Sequence, residues 1–184
     1  ASRRSVTTRC QSTSSATGDF GKMGIGCSFA PTNADAVCEA ATDRTKVIVI
    51  ESPTNPLLGV VDIARVARFA RERGITTVID NTFASPMNQN PLAFGIDVVV
   101  HSATKYLGGH SDLCCGVALT SKEKAQPITA LARHLGGSLD TFACYLLERS
   151  IKTLALRVER QSANAMAIAR SEERRVGKEC SLPC

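Results

Sequence analysis

The chain has 184 residues, 43% of them apolar, which supports one domain with a real core and excludes a polypeptide disordered along its bulk. No run approaches the length of a membrane span, and the first 20 residues lack the apolar centre of a signal peptide, so a soluble cytoplasmic protein with no membrane partner is expected. Of the net charge of +5, residues 1–20 carry +2 and residues 170–184 carry +1; the +2 left in the middle has no aromatic-interleaved basic stripe, and no nucleic-acid partner is expected.

In chain order, residues 1–20 are rich in Ser, Thr and Arg with almost no apolar periodicity, the composition of a disordered or out-of-frame lead. Lys46–Ile50 is a β-branched run that opens through Glu51 into the two-proline turn ESPTNP. Asp62 is a fair N-cap for a helix over Ile63–Arg73, whose Ile63, Val66, Ala67 and Ala70 share one face and whose Gly74 ends it. Its arginines 65, 68, 71 and 73 then fall on the solvated side. Thr76–Ile79 and Asp97–Val100 are further strands, ending at Asp80 and at His101 and Ser102, and Gly116–Thr120 is another. A helix near Ser121–Leu135 follows, then a long one from about Asp140 into the 160s with Phe142, Tyr145, Leu146, Leu154 and Val158 on its apolar faces. Buried strands alternating with helices predict an α/β fold with a mainly parallel sheet covered on both faces.

Parallel sheets bind ligands outside the carboxyl ends of their strands. Glu51 with Asn55, Asp80 with Asn81, and Ser102 through Lys105 each follow such an end, so three strands deliver an acid, an amide, hydroxyls and a lysine to one edge. Lys105, between hydroxyls and the Gly108–Gly109 pair, stands where desolvation could make its amine nucleophilic. The eight cysteines are scattered without CxxC spacing and are read as reduced. His110, Asp112, Cys114 and Cys115 offer metal-ligand types, but neighbouring strand cysteines face opposite sides; they are read as packing, and no metal is expected. His101 and His134 are read as ordinary satisfied polar residues.

ESPTNP at 51–56, DNTFASP at 80–86 and SATKYLGGHSD at 102–112, in that order, resemble the cysteine and methionine metabolism family of pyridoxal-phosphate enzymes, the transsulfuration group. LGGSLDTFACYLLERSIKTLALRVERQ at 135–161 resembles the family's stretch leading out of its large domain, and the resemblance covers residues 21–169. It implies a fold type I pyridoxal-phosphate transferase, here an incomplete large domain with a mainly parallel sheet. It implies Lys105 as the catalytic residue, forming an internal aldimine with pyridoxal 5'-phosphate and then moving protons. Asp80 would pair with the ring nitrogen, Ser102 and Thr104 with the phosphate, and Asn55 with the ring oxygen, while Glu51 takes no direct part.

The implied reaction makes or breaks a C–S bond of an amino-acid substrate, as in cystathionine γ-synthase or γ-lyase. Methionine γ-lyase, cystathionine β-lyase and homoserine-ester sulfhydrylase are alternatives within the family. A non-catalytic α/β binding domain or an inactive fragment is the alternative outside it. The family's N-terminal phosphate loop and stacking tyrosine are not found in residues 1–45, and RSEERRVGKEC at 170–180 resembles the translation of a sequencing adapter, which would make 170–184 an artefactual tail. The chain is therefore expected to be a piece of a homotetrameric enzyme, inactive by itself.

Overall fold

The computed structural model describes residues 3–8 and 20–179. Strands β1 (Arg3–Thr8), β2 (Ile25–Ala30), β3 (Thr45–Glu51), β4 (Thr76–Asp80), β5 (Val98–Ser102) and β6 (Gly116–Thr120) form one sheet in the order β2-β1-β3-β4-β5-β6. The first five run parallel and β6 returns antiparallel at the edge, so the sheet is mainly parallel as predicted. Strands read at 46–50, 76–79, 97–100 and 116–120 lie within a residue or two of these bounds.

One face of the sheet is closed by α1 (Ala34–Glu39) and α2 (Ile63–Glu72). Asp62 caps α2 by accepting from the Arg65 amide, and Gly74 follows it in the left-handed region at φ 63, where a side chain is disfavoured. Ile63, Val66, Ala67 and Ala70 bury against Ile48, Ile50, Ile79 and Val99, each large aliphatic contributing about 1.5–3 kcal/mol. The arginines on the other side of α2 meet modest surface partners: Arg65 pairs with Asp35, and Arg73 lies 4.4 Å from the centroid of the Phe69 ring.

After β4 comes the one-turn α3 (Ser85–Asn88); the other face carries a smaller cluster of Ala103, Leu107, Leu113 and Leu147, with α4 (Lys122–His134), α5 (Thr141–Ile151) and α6 (Leu154–Glu179) following β6 in the chain. The single long helix expected from Asp140 is two. The turn at Lys152 and Thr153 is held because the Ser150 carbonyl accepts from Thr153 Oγ1 and Arg157 Nη2, side-chain donors that stand in for a continuing helix. Leu147, Leu154 and Val158 bury, whereas Phe142 and Tyr145 are exposed and stack on each other at 6.4 Å.

Two further departures concern the ends. Residues 3–8, inside the stretch read as a lead, form a strand paired on both sides, Val6 with Ser28 and with Ile48. Val6, Thr7 and Thr8 are β-branched and fit a paired strand although the segment shows no apolar alternation. Helix α6 runs on to Glu179, past the 160s where the pattern placed its end and into the stretch read as a tail. The rest of the expected lead, residues 9–19, and residues 180–184 of the expected tail lie outside the described residues.

Candidate active site

The register of the sheet places the candidate side chains. Glu51 on β3 is level with Asp80 on β4, Asp80 with Val100 on β5, and Ser102 with Gly116 on β6. Successive side chains alternate faces, so Ile79 enters the α2 core while Asp80 looks the other way, toward the loop between β5 and β6. That side holds a cleft of about 900 Å³, and Asn55, Asp80, Ser102, Thr104 and Lys105 all line it.

The loop carrying Lys105 is built by short hydrogen bonds. The Lys105 amide donates to Ser102 O (3.0 Å), Gly108 N to Ala103 O (2.7 Å) and Gly109 N to Lys105 O (2.7 Å). Ala103, Leu107 and Leu113 anchor it from below and leave Lys105 at the top. Both glycines fit their places: a Cβ on Gly108 would stand 2.8 Å from the backbone oxygen of Ala103, and Gly109 sits at φ 76, where a side chain is disfavoured and would also crowd Arg157 Nη1. Arg157, unread in the sequence, clamps the structure from α6. Its Nη1 donates to Tyr106 O (2.7 Å), Nη2 to Leu107 O (3.3 Å) and Ser150 O (2.8 Å), and Nε to Thr153 Oγ1 (3.0 Å). A planar guanidinium can serve three carbonyls at once where an ammonium cannot.

Asp80 is half-buried. Its Oδ1 accepts from Thr82 N (2.9 Å) and Thr82 Oγ1 (2.6 Å), and Thr82 Oγ1 accepts from Ser102 N (2.8 Å). Thr82 is a second residue the sequence reading missed; the signal was its place two residues after a strand-ending acid, the spacing of a local side-chain turn. Among the described residues, Asp80 Oδ2, Ser102 Oγ and Lys105 Nζ have no hydrogen-bond or ion-pair partner. Thr104 is more committed, its hydroxyl accepting from Cys115 N (3.0 Å) and donating to Cys115 O (3.2 Å).

Lys105 is exposed on the cleft wall and not desolvated. Asn81 turns inward, fully buried, donating to Ser85 O and Gln89 O while its own Oδ1 accepts from Gln89 Nε2 at 2.7 Å. Gln89 also donates to Ser52 O (2.9 Å), so Asn81 is a strut that ties the ESPTNP turn to β4. His101 is 4% exposed and its Nδ1 has no hydrogen-bond partner among the described residues, contrary to the satisfied histidine expected. Burial depresses its pKa against the opposing pull of Asp80. Burial likewise pushes the Glu51 carboxyl up, opposed by the Asn55 amide and helped by the Asp80 charge.

Comparison with known proteins follows the same outline. A sequence model described as "Cys/Met metabolism PLP-dependent enzyme" matches residues 10–175, a wider span than the 21–169 read from motifs. The chain is 46% identical over 140 residues to a cystathionine β-lyase of Coxiella burnetii, covering 75% of this chain and 36% of that protein. It is 46% identical over 136 residues to a cystathionine γ-synthase of Mycobacterium tuberculosis, covering 73% and 35% respectively. The solved metB protein of Corynebacterium glutamicum superposes with a TM-score of 0.86 at 36% identity, covering 92% of this chain and 45% of that one. A cystathionine γ-lyase of Lactobacillus plantarum, solved with L-serine, gives 0.79 at 37% identity, covering 85% of this chain and 42% of that one. The chain thus spans little more than a third of the length of the curated relatives it matches.

Proposed function

This chain belongs to the Cys/Met metabolism PLP-dependent enzyme family, and from that membership we propose that the intact protein makes or breaks a C–S bond of a sulfur amino acid, with Lys105 as its catalytic residue. The observation that carries the proposal is the convergence in one cleft of three atoms that have no hydrogen-bond or ion-pair partner among the described residues: Lys105 Nζ, Asp80 Oδ2 and Ser102 Oγ. An amine to condense with an aldehyde, a carboxylate oxygen to accept from a protonated ring nitrogen and a hydroxyl to donate to a phosphate are the groups the family's cofactor requires, so the residues fit it.

Bound pyridoxal phosphate supplies an electron sink for the pair left at the substrate α-carbon. Lys105 Nζ would hold the cofactor's aldehyde and, once displaced by the amino group of the substrate, take and return protons as general base and acid. Asp80 would accept from the ring nitrogen and keep its proton in place. Ser102 would donate to the phosphate directly, and Thr104 after its hydroxyl turns from Cys115 O. Asn55, exposed at the rim, would meet the ring oxygen. Residues 21–169 are assigned to the cofactor-binding large domain on the same reading.

β-Lyase, γ-synthase and γ-lyase all occur among the relatives, so the proposal stops at the C–S bond of an amino-acid substrate such as cystathionine. The same reading makes the intact protein a cytoplasmic homotetramer; no helix among the described residues is long and apolar enough to cross a membrane. The test is to load the protein with pyridoxal phosphate, reduce it with borohydride and map the adduct by mass spectrometry. A visible band bleached by reduction and an adduct on Lys105 are expected. Lys105→Ala should remove both, and in the intact protein should slow cystathionine turnover by about 10²–10⁴-fold or more, with unfolding unchanged. An adduct elsewhere, or Lys105→Ala unfolding the protein, refutes it.

A further inference from the structure

We infer that Thr82 is a positioning residue that sets which oxygen of Asp80 is available to the cofactor and ties that carboxylate to the loop carrying Ser102 and Lys105. The inference rests on the cofactor reading above and adds to it Thr82, a further residue of the same cleft whose hydroxyl faces Asp80 and Ser102.

The direction of each hydrogen bond follows from chemistry. The Ser102 amide has only a proton to give, so at 2.8 Å Thr82 Oγ1 must accept from it. The single hydroxyl proton of Thr82 is then free to point at Asp80 Oδ1, and the 2.6 Å separation is that of an O–H donor on a carboxylate oxygen. Thr82 N donates to the same oxygen at 2.9 Å. Oδ1 is therefore an acceptor twice over, and a proton on it would face two donors with nothing to accept it. Oδ2, which has no partner among the described residues, is the oxygen left to accept from a protonated ring nitrogen.

The same hydroxyl bridges two strands. Asp80 ends β4 and Ser102 ends β5, and their side chains are assigned to opposite ends of the cofactor, ring and phosphate. One threonine thus holds the spacing between the two ends. Valine in its place would keep the shape but leave the Ser102 amide without an acceptor and Asp80 Oδ1 with one donor instead of two.

The experiment compares the protein with Thr82→Val, Thr82→Ala and Thr82→Ser, each loaded with pyridoxal phosphate isotopically labelled at the ring nitrogen. Nuclear magnetic resonance reports whether that nitrogen carries a proton, and dialysis reports cofactor affinity. The wild type and Thr82→Ser should show a protonated ring nitrogen across the neutral range. Thr82→Val and Thr82→Ala, of which the first keeps the side-chain shape and the second shrinks it while both lack the hydroxyl, should lose the proton at lower pH and bind the cofactor about tenfold more weakly. Wild-type ring signal and affinity in Thr82→Val and Thr82→Ala would overturn the role of Thr82 while leaving the cofactor site standing. A wild type that retains no pyridoxal phosphate, or holds it with an unprotonated ring nitrogen, would overturn the site reading and this inference together.

Discussion

Two threonine–aspartate pairs occupy opposite ends of the same two strands, and they are built differently. At the amino ends of β4 and β5, Asp97 Oδ2 accepts from Thr77 N (2.9 Å) and Thr77 Oγ1 (3.0 Å), its Oδ1 faces Lys124 Nζ (3.4 Å), and its own amide donates back to Thr77 Oγ1 (2.9 Å). Both carboxylate oxygens are spent on the fold. At the carboxyl ends, Thr82 makes the matching pair of hydrogen bonds to Asp80 but takes up one oxygen only. The same residue types at similar geometry thus spend both oxygens on the fold at one end and leave one oxygen for the proposed cofactor at the other.

Exchanging each acid for its amide separates the two ends most sharply. Asp80→Asn in the intact protein should slow proton abstraction by about 10²–10⁴-fold while leaving cofactor bound and costing less than about 1 kcal/mol of stability. Asp97→Asn should do the reverse, lowering stability by about 2 kcal/mol with the cofactor's absorbance unaltered. Denaturant unfolding and stopped-flow absorbance measure the two effects, and equal losses in both variants would dissolve the distinction. Acid sharpens it further. Burial pushes the Asp97 carboxyl up, but the Thr77 bonds and Lys124 more than offset this and hold it below its ordinary 3.8. Its contribution is therefore complete above that value and is lost as pH falls through the lowered one, a loss that Asp97→Asn should not show.

The next effect in size tests the clamp beneath the loop that carries Lys105. Arg157→Met should cost about 2 kcal/mol, because the carbonyls of Tyr106, Leu107 and Ser150 lose a donor, and should speed hydrogen exchange at residues 105–109. Arg157→Lys should recover only part, since one ammonium cannot reach all three. Unchanged exchange in the loop would show that the apolar anchors Leu107 and Leu113 hold it alone.

The smallest effect belongs to Glu51, whose carboxyl is raised by burial above its ordinary 4.5. The folded state then holds its proton to higher pH than the unfolded state, so stability declines as pH rises from 4.5 through the raised value. Glu51→Gln should remove that decline and change stability at neutral pH by less than about 0.5 kcal/mol in the favourable direction. A pH series of thermal midpoints for both proteins is the measurement, and parallel curves would contradict the raised value.

Local pattern was enough for the parts of this protein that obey local rules. The apolar face and Asp62 cap of α2, the β-branched runs of β3, β4 and β5, and the polar residues at their ends were legible because period, cap and turn chemistry all act within a few residues. β1 was not legible, because a strand flanked by partners on both sides needs backbone pairing more than its own apolar alternation. The break between α5 and α6 was hidden for a related reason: it depends on Arg157 reaching Ser150 and Thr153, and nothing in the run from Asp140 announces it. Sequence likewise brought Asp80, Ser102 and Lys105 to one edge, but only the tertiary structure decided which of their atoms are free. Whether a hydroxyl, an amide or a carboxylate oxygen is spent or available depends on the group standing opposite, which here is a neighbouring strand, a returning loop or a helix some fifty residues away in the chain.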